Sequence, residues 1–403
     1  MGIAENKYSG KIIIIGASAA GISAAKEIRA VNNIAKISII TEENHMPYYR
    51  PYLTEYIKDN SVKNRANFNL NKEEWYKKNN ISIILGEKVI EINHSNKTIK
   101  TDKDIILPFD KLILANGSKP FVPIKGSLEK ENVFAIRTLD DAKTVHNFSN
   151  KIKKAIVIGG GLLGLEIANA LIQKNIDITI VELVERILPM QLDSEGSYLL
   201  ESIIKENNIK INLGVPVELL IGENKITSLR LKSGEEVSTD MIIFSIGVKA
   251  NIELAKGCGI KTNSGIIVNE KMETNIPDIY ACGDVTEFGR CVALWMPAVK
   301  QGRVAGLNVI GNKAVFKAEE YPAVLNSFGT RIYSIGDICR NQDYENYITM
   351  QYKIPEEKTY KKLFFKDDKL VGGILIGDIK KSTSLNKGIN SGLHISAAID
   401  LIK

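Results

Sequence analysis

The chain of 403 residues carries 53 Lys and Arg against 47 Asp and Glu, a formal net charge of +6, and 44% of its residues are hydrophobic. This length exceeds what one hydrophobic core usually supports, so two or three domains are expected, and the composition excludes a disordered chain. The polar N-terminus, the lack of a long apolar run and the lack of a polybasic tract predict a cytoplasmic protein with neither a membrane nor a nucleic-acid partner.

The opening segment predicts a βαβ unit, in which a glycine-rich turn joins a strand to a helix. Its strands are expected at residues 11–15 and 37–41, its turn at 16–21 and its helix at 22–30. An amphipathic segment around residues 71–78 follows. Short apolar runs at 81–85, 89–92 and 105–107 then predict a β-meander that closes on residues 111–115. Thr138-Leu-Asp-Asp141 is typical of a helix N-terminus with an acidic first turn.

A second βαβ unit begins at residues 155–158, roughly one domain length after the first. Its run Gly159-Gly-Gly161-Leu-Leu-Gly164-Leu-Glu166 repeats the opening pattern, which predicts two nucleotide-binding folds. Beyond about residue 318 the pattern changes. Two β-rich runs, 360–365 and 370–376, flank a predicted hairpin turn at 366–369, and a helix is expected near 382–390. The tail is therefore predicted to be a smaller α+β domain.

The two glycine-rich turns predict pyrophosphate binding, because such a turn lets the backbone approach the ligand at a helix N-terminus. Gly159, Gly161 and Gly164 fit the spacing fully. In the first copy, Gly16 and Gly21 fit, but Ser18 stands at the middle position. The alternative is tight packing of strand on helix with no ligand.

An acidic residue at the end of the second strand of each unit is expected to accept hydrogen bonds from an adenosine ribose. Glu43, with Glu42 as the close rival, fills this position in the first unit, and Glu182 fills it in the second. A carboxylate at Glu182 would repel a 2′-phosphate, which favours NADH over NADPH. The alternative is that these glutamates are solvated residues at strand ends.

Three further segments make the pattern specific. Residues 274–284 predict an apolar strand that ends in Gly283-Asp284, and a helix over 298–310 follows. The runs 112–117 and 242–247 are paired apolar strands that each end in glycine. With the two turns, these segments resemble the two-dinucleotide flavoproteins, the pyridine nucleotide-disulfide oxidoreductase family. The segment Pro47-Tyr-Tyr-Arg-Pro51-Tyr-Leu53 makes the chain most similar to the NADH:rubredoxin oxidoreductases of that family.

The chain departs from the family pattern at three positions. Asn116 replaces the usual threonine of an Ala-Thr-Gly motif, and Ala250 replaces a usual proline. Glu55 stands where ferredoxin reductases often carry lysine, which argues against a standard ferredoxin reductase.

The resemblance implies an α/β fold with two Rossmann-like domains, for FAD and NAD, and a small C-terminal α+β domain. The implied FAD domain is split over residues 1–120 and 246–318; the NAD domain covers 121–245 and the C-terminal domain 319–403. The implied cofactors are FAD and NADH, and no metal site is expected. The candidate FAD residues are Gly16, Ser18, Ala19, Ala20, Gly21, Glu42, Glu43, Arg50, Pro51, Asn116, Gly117, Gly283, Asp284, Pro297 and Ala298. The candidate NADH residues are Gly159, Gly161, Leu163, Gly164, Glu166, Glu182 and Gly247.

The cysteine positions bear on the electron acceptor. Disulfide-reducing, peroxidase and coenzyme A disulfide relatives need a thiol in the first domain, but the first cysteine here is Cys258. The four cysteines are interpreted as buried or incidental thiols, and no residue is expected to act as a catalytic thiol. The expected reaction is therefore hydride transfer from NADH to FAD, with electrons leaving to a small acidic one-electron carrier, rubredoxin or a similar iron–sulfur protein. The alternatives are a flavoprotein component of a nitrite reductase or ferredoxin reductase system, an NADH oxidase, and a non-enzymatic flavin-binding redox sensor.

Overall fold

The computed structural model describes residues 7–341 and 343–402. Its strands are β1 (Lys11–Ile15), β2 (Lys36–Thr41), β3 (Ile81–Leu85), β4 (Val89–Asn93), β5 (Thr98–Thr101), β6 (Ile106–Pro108), β7 (Lys111–Leu114), β8 (Ser118–Pro120), β9 (Val133–Ala135), β10 (Lys154–Ile158), β11 (Asp177–Glu182), β12 (Lys210–Leu213), β13 (Val217–Ile221), β14 (Ser228–Leu231), β15 (Glu236–Ser238), β16 (Met241–Phe244), β17 (Val248–Ala250), β18 (Ile266–Ile267), β19 (Ile279–Ala281), β20 (Thr286–Glu287), β21 (Ala323–Ser327), β22 (Thr330–Gly336), β23 (Ile348–Ile354), β24 (Thr359–Lys366) and β25 (Lys369–Ile376). Its α-helices are α1 (Ala19–Val31), α2 (Leu53–Lys58), α3 (Glu73–Lys78), α4 (Leu139–Ser149), α5 (Leu162–Ile172), α6 (Ser194–Glu206), α7 (Glu253–Gly257), α8 (Trp295–Val309), α9 (Ser382–Ser391) and α10 (Ile399–Ile402).

The chain divides into two compact units, and both are discontinuous in sequence. The first comprises residues 1–53, 61–120 and 247–318, and the second comprises 54–60, 121–246 and 319–403. Within the part of the chain that the structure describes, no helix has the length and apolar character needed to cross a membrane.

The first unit is built on a parallel sheet with the strand order β19-β7-β1-β2-β3. Its central strand β1 is an isoleucine run in which Ile12 and Ile14 are fully buried, as expected for a parallel sheet covered on both faces. Helices α1 and α8 pack closely because α8 carries small residues at the contact. A Cβ atom at Gly302 would lie 2.2 Å from the carbonyl oxygen of Ala20, and one at Gly306 would lie 2.4 Å from that of Ala24.

The prediction of a β-meander between residues 81 and 107 is wrong for its first strand, residues 81–85. Residues 81–85 form β3, which pairs in parallel with β2 at the edge of the main sheet. The antiparallel meander is instead β4-β5-β6, and its middle strand β5 has no counterpart in the prediction. A short apolar run does not distinguish a parallel edge strand from a meander strand, because both read as a few consecutive β-branched residues.

The second unit repeats the parallel arrangement with the order β12-β11-β10-β16-β9, beside a three-stranded sheet β13-β14-β15. Its other sheet, here called the C-terminal sheet, is antiparallel with the order β21-β22-β25-β24-β23. The hairpin predicted at residues 366–369 is present. Asp367 and Asp368 both have left-handed φ angles, 48° and 57°, as a two-residue type I′ turn requires. Thr138 caps α4 in a capping box with Asp141, as the sequence indicates.

Candidate dinucleotide sites

The first glycine-rich turn joins β1 to α1 and depends on two of its residues having no side chain. Gly16 has φ +111°, and a Cβ atom there would lie 2.1 Å from the carbonyl oxygen of Ala115. A Cβ atom at Gly21 would lie 2.0 Å from the carbonyl oxygen of Gly16. Ala19 and Ala20 form the first turn of α1, and among the described residues no side chain caps this helix. Its first N–H groups are therefore available to an anion.

Ser18, at the middle position of that turn, connects it to the loop after β2. The Nε of Arg50 donates to the Ser18 hydroxyl at 2.9 Å, and Arg50 also forms an ion pair with Glu43. The Tyr48 hydroxyl donates to the other carboxylate oxygen of Glu43 at 2.6 Å. Glu42 instead is exposed and pairs with Lys88 at 3.1 Å. Of the two rival glutamates, Glu43 is therefore the one joined to the turn.

Burial opposes the charge on Arg50, but Tyr48 and Glu43 outweigh it, so that the pKa of the guanidinium is raised. Arg50 is thus a permanent cation held beside the first turn. Pro51 follows it in the 3-10 helix Arg50–Tyr52 and is exposed.

The antiparallel strands β8 and β17 are joined beside their ends by two asparagine side chains. The side-chain amide of Asn116 donates to the carbonyl oxygen of Asn251 at 2.8 Å, and that of Asn251 donates to the carbonyl oxygen of Asn116 at the same distance. Gly117, next in the chain, has φ +65° and accepts a backbone hydrogen bond from Asn251. The Oδ1 atom of Asn116 is buried and, within the described residues, has no hydrogen-bond partner. An unsatisfied buried acceptor of this kind indicates a ligand donor at that point.

The segment Gly283-Asp284 lies against helix α1. Gly283 has φ +82°, and a Cβ atom there would lie 2.8 Å from that of Ala20 in α1. Asp284 accepts a hydrogen bond from Ser118 at 3.2 Å. Pro297 and Ala298 are buried in the first turn of α8, which begins at Trp295 and so starts earlier than predicted.

These residues fit FAD: an uncapped helix behind a glycine turn, a partly buried cation beside it, and an unsatisfied acceptor at Asn116. All the predicted FAD residues lie in the first unit.

The second turn joins β10 to α5 and repeats the same contacts. Gly159 has φ +115°, and a Cβ atom there would lie 2.3 Å from the carbonyl oxygen of Ser245. A Cβ atom at Gly164 would lie 2.1 Å from the carbonyl oxygen of Gly159. By contrast, nothing lies within 4 Å of a Cβ atom placed on Gly161, the N-cap of α5. Packing does not require glycine at this position, whereas the close approach of a ligand would.

Glu182 at the end of β11 lies beside this turn. One of its carboxylate oxygens accepts from the backbone N–H of Gly160 at 2.6 Å, and the other accepts from that of Val184 at 3.1 Å. The apolar side chains of Leu183 and Val184, which the sequence analysis missed, are 64% and 41% exposed directly after it. Leu163, in the first turn of α5, is also exposed. An apolar pair directly after the acidic residue that ends a strand is a sequence signal, and it could have identified Leu183 and Val184 as candidates for this site.

Glu166, two residues after Gly164, is a partly buried carboxyl group. The Thr54 hydroxyl donates to it at 3.2 Å. Burial raises the pKa of Glu166, and the negative charge of Glu55 raises it further. Glu55 thus adds a second negative charge at the position where a lysine would supply a positive one. Gly247, with φ +106°, belongs to the first unit, whereas the other predicted NADH residues belong to the second.

Two of the four thiols, Cys258 and Cys282, are poorly placed for redox chemistry. Complete burial raises the pKa of Cys282 to about 12, and burial also raises that of Cys258. Cys339 is buried and donates to the carbonyl oxygen of Asp343, while Cys291 is exposed. Because a thiolate is the reactive species, these raised values disfavour thiol chemistry at Cys258 and Cys282.

Residues 10–302 match the profile of the pyridine nucleotide-disulphide oxidoreductases, and residues 322–393 match that of the rubredoxin NAD+ reductase C-terminal domain. The chain belongs to the pyridine nucleotide-disulphide oxidoreductase family. This membership confirms the resemblance and the α/β fold class inferred from the sequence, and it supports FAD and NADH as the cofactors. The individual site residues remain predictions.

Relatives of the chain differ in length. A NADH-rubredoxin oxidoreductase of Clostridium acetobutylicum is 35% identical over 387 residues, which cover 95% of each protein. The solved structure of NADH:rubredoxin oxidoreductase from that organism has a TM-score of 0.78 and 32% identity, covering 98% of this chain and 99% of the other. A nitrite reductase [NAD(P)H] of Bacillus subtilis is 32% identical over 96% of this chain but only 48% of that protein. The chain thus spans about half the length of this relative.

Proposed function

We propose that this protein is an FAD-dependent oxidoreductase that takes a hydride from NADH and passes electrons to a small one-electron carrier, rubredoxin in the first instance. The observation that carries the proposal is the combination of two dinucleotide turns with a C-terminal segment that matches the rubredoxin NAD+ reductase domain. The relative that is similar over its whole length bears the same activity in its name.

In this proposal the first unit holds FAD. FAD supplies the conversion between a two-electron hydride donor and a one-electron acceptor. The N-terminus of α1 and the Arg50 guanidinium neutralise pyrophosphate charge, with Ser18 and Glu43 keeping Arg50 in place. The Asn116 Oδ1 accepts a hydrogen bond that the protein itself leaves unmade.

The second unit binds NADH. The uncapped N-terminus of α5 receives the pyrophosphate, while Gly161 leaves room for its approach. Glu182 is already hydrogen-bonded to the backbone on both sides of the adenosine position and so presents its carboxylate in a defined orientation. Such a carboxylate accepts ribose hydroxyl groups and repels a 2′-phosphate.

The choice of a small carrier follows from the thiols and the charge. Since Cys258 and Cys282 have raised pKa values, no protein thiolate offers an outlet for electrons at those two positions. The net charge of +6 favours encounter with an acidic protein. Two basic side chains of the first unit are neutralised within the protein, because Arg50 is paired with Glu43 and Arg303 with Glu27. Steering in this proposal therefore depends on the overall charge.

The proposal is tested by anaerobic stopped-flow mixing of the NADH-reduced protein with rubredoxin, ferredoxin, oxygen and a nitrite reductase partner. We expect rubredoxin to be reduced fastest, with a rate that falls between 0.1 M and 1 M salt as the Debye length shortens from about 10 Å to about 3 Å. Slow, salt-independent reduction of every carrier would contradict the proposal.

A second candidate is an electron-input component of a nitrite reductase system, which the similarity to the Bacillus subtilis nitrite reductase favours. Faster reduction of the nitrite reductase partner than of rubredoxin would select it. Binding of FAD with negligible NADH consumption for every acceptor would instead indicate the redox sensor.

A further inference from the structure

The loop between β11 and α6, residues 183–193, forms one side of the second glycine turn. The backbone N–H of Leu188 donates to the carbonyl oxygen of Gly160 at 3.2 Å, and Gly160 in turn donates to Glu182. The loop therefore contacts the turn on the side where the adenosine end of NADH is expected.

This loop holds a strained backbone. Leu188 is fully buried and has φ +49°, a left-handed conformation that is unfavourable for a leucine. Such a conformation persists only where surrounding contacts over-determine it. The backbone of Leu188 itself is hydrogen-bonded to Gly160, Gln191 and Leu192. Its neighbours in the loop are contacted by the segment that follows β22.

Arg340, which follows β22, makes those contacts through its guanidinium. Its Nε donates to the carbonyl oxygen of Met190 at 3.0 Å, and its Nη2 donates to the carbonyl oxygen of Gly336 at 3.2 Å. In return, Arg186 of the loop donates to the carbonyl oxygen of Arg340 at 3.2 Å and to those of Pro189 and Leu192. The two arginines thus bind the loop reciprocally to the C-terminal segment.

The same segment also holds the helix on the other side of the turn. The backbone N–H of Phe328, between β21 and β22, donates to the side chain of Asn169 on α5 at 2.9 Å. The loop and α5, which lie on either side of the second turn, are therefore both hydrogen-bonded to residues that flank β22 of the C-terminal sheet.

We propose that Arg340 is a positioning residue of the NADH site, through which the C-terminal segment holds the loop 183–193 in the geometry that binds the adenosine end of NADH. The proposal rests on the proposed NADH-binding function of the second turn. It gives the C-terminal segment a role in NADH affinity in addition to any role in recognising the acceptor.

The test compares Arg340→Ala and Arg340→Lys with Arg331→Ala, an exposed arginine on β22 of the same sheet. The dissociation constants of NADH and of ADP-ribose are measured by calorimetry on the FAD-loaded protein, alongside KM, kcat and thermal stability. We expect R340A to weaken both ligands about 5- to 10-fold, which corresponds to the net contribution of about one ordinary hydrogen bond, with kcat within two-fold. R340K should recover part of the affinity, and R331A should match the unchanged protein.

Equal dissociation constants for R340A and the unchanged protein would overturn the proposal, whatever the change in thermal stability. If R340A does not fold, R340K is compared with Arg331→Lys by the same criterion. Failure of the unchanged protein to bind NADH and ADP-ribose would instead refute the proposed function, and this inference with it.

Discussion

Asp193, the last residue of the loop before α6, is a site at which a single substitution should cost several kcal/mol of stability. Its carboxylate is the N-cap of α6 and accepts from the backbone N–H of Gly196 at 2.9 Å. It also accepts from the Tyr360 hydroxyl at 2.6 Å and from the Lys362 ammonium at 2.8 Å, both on β24. The side chains of Asp193 and Lys362 are only 1% and 8% exposed. Asp193→Ala should therefore lower the free energy of unfolding by about 3–5 kcal/mol, the cost of leaving a buried charge uncompensated.

The components of this cost can be separated. Loss of the helix cap accounts for about 1 kcal/mol. The remainder comes from the unpaired Lys362 ammonium and the Tyr360 hydroxyl, which stays a donor because burial and Asp193 raise its pKa. If this account holds, the double variant Asp193→Ala with Lys362→Met should recover part of the loss, since it removes the buried charge together with its partner.

The assay is urea-induced unfolding followed by circular dichroism, with FAD content checked in parallel. Lys358→Ala is the matched control, because Lys358 also joins the C-terminal sheet to α6, through Glu206, but both side chains are about half exposed. It should cost about 0.5 kcal/mol or less. The reasoning is refuted if Asp193→Ala costs no more than Lys358→Ala, or if the double variant is less stable than Asp193→Ala.

Four further outcomes are expected. Glu182→Arg should move the preference from NADH towards NADPH, because a 2′-phosphate gains a charge-assisted bond; an unchanged ratio of kcat/KM values would remove Glu182 from the site. Replacing all four cysteines by serine should leave NADH-dependent dye reduction within a few-fold, and a collapse of activity with FAD retained would contradict the thiol-free mechanism. Because burial raises the pKa of Glu166, its stabilising contribution is complete below the pKa of the unfolded chain and is lost as pH rises through the folded value. Glu166→Gln should therefore flatten the unfolding free energy across that window, whereas an unchanged pH profile would exclude the effect. Ser18→Gly should weaken FAD retention by leaving Arg50 held by Glu43 alone, whereas Ser18→Thr should not, as measured by FAD released on dilution; equal retention in both variants would contradict this.

Local sequence patterns were sufficient for the two glycine turns and their helices. The close contacts of Gly16, Gly21, Gly159 and Gly164 are made within one βαβ unit and with the strand beside it, so the spacing of the glycines reports them directly. The hairpin at residues 366–369 was predictable for the same reason, since a two-residue turn leaves its signature in adjacent residues.

Contacts between distant parts of the chain were not predictable in this way. Asn116 and Asn251 are 135 residues apart, and Thr54 and Glu166 are 112 apart. No periodicity connects such pairs, and each polar side chain alone is equally compatible with a solvated position. The departures at Asn116 and Glu55 were visible as exceptions to a family pattern. Their consequences required the fold: a reciprocal pair of amide hydrogen bonds at Asn116, and at Glu55 a negative charge that adds to the effect of burial, which mainly raises the pKa of Glu166.

Ser18, which departs from the glycine motif, makes a contact that a glycine at this position could not make. In the second turn the middle position is Gly161, and the space beside it is open. In the first turn the corresponding hydroxyl accepts from Arg50, and the same guanidinium is paired with Glu43. A glycine at position 18 would give closer backbone access but would leave this cation held by Glu43 alone. The first turn thus combines an oriented arginine with the helix N-terminus as a source of positive charge, whereas the second depends on backbone N–H groups and open space. Under the proposed function, the two turns would therefore bind their anions by different means, and the first would retain its dinucleotide while the second releases it at each turnover.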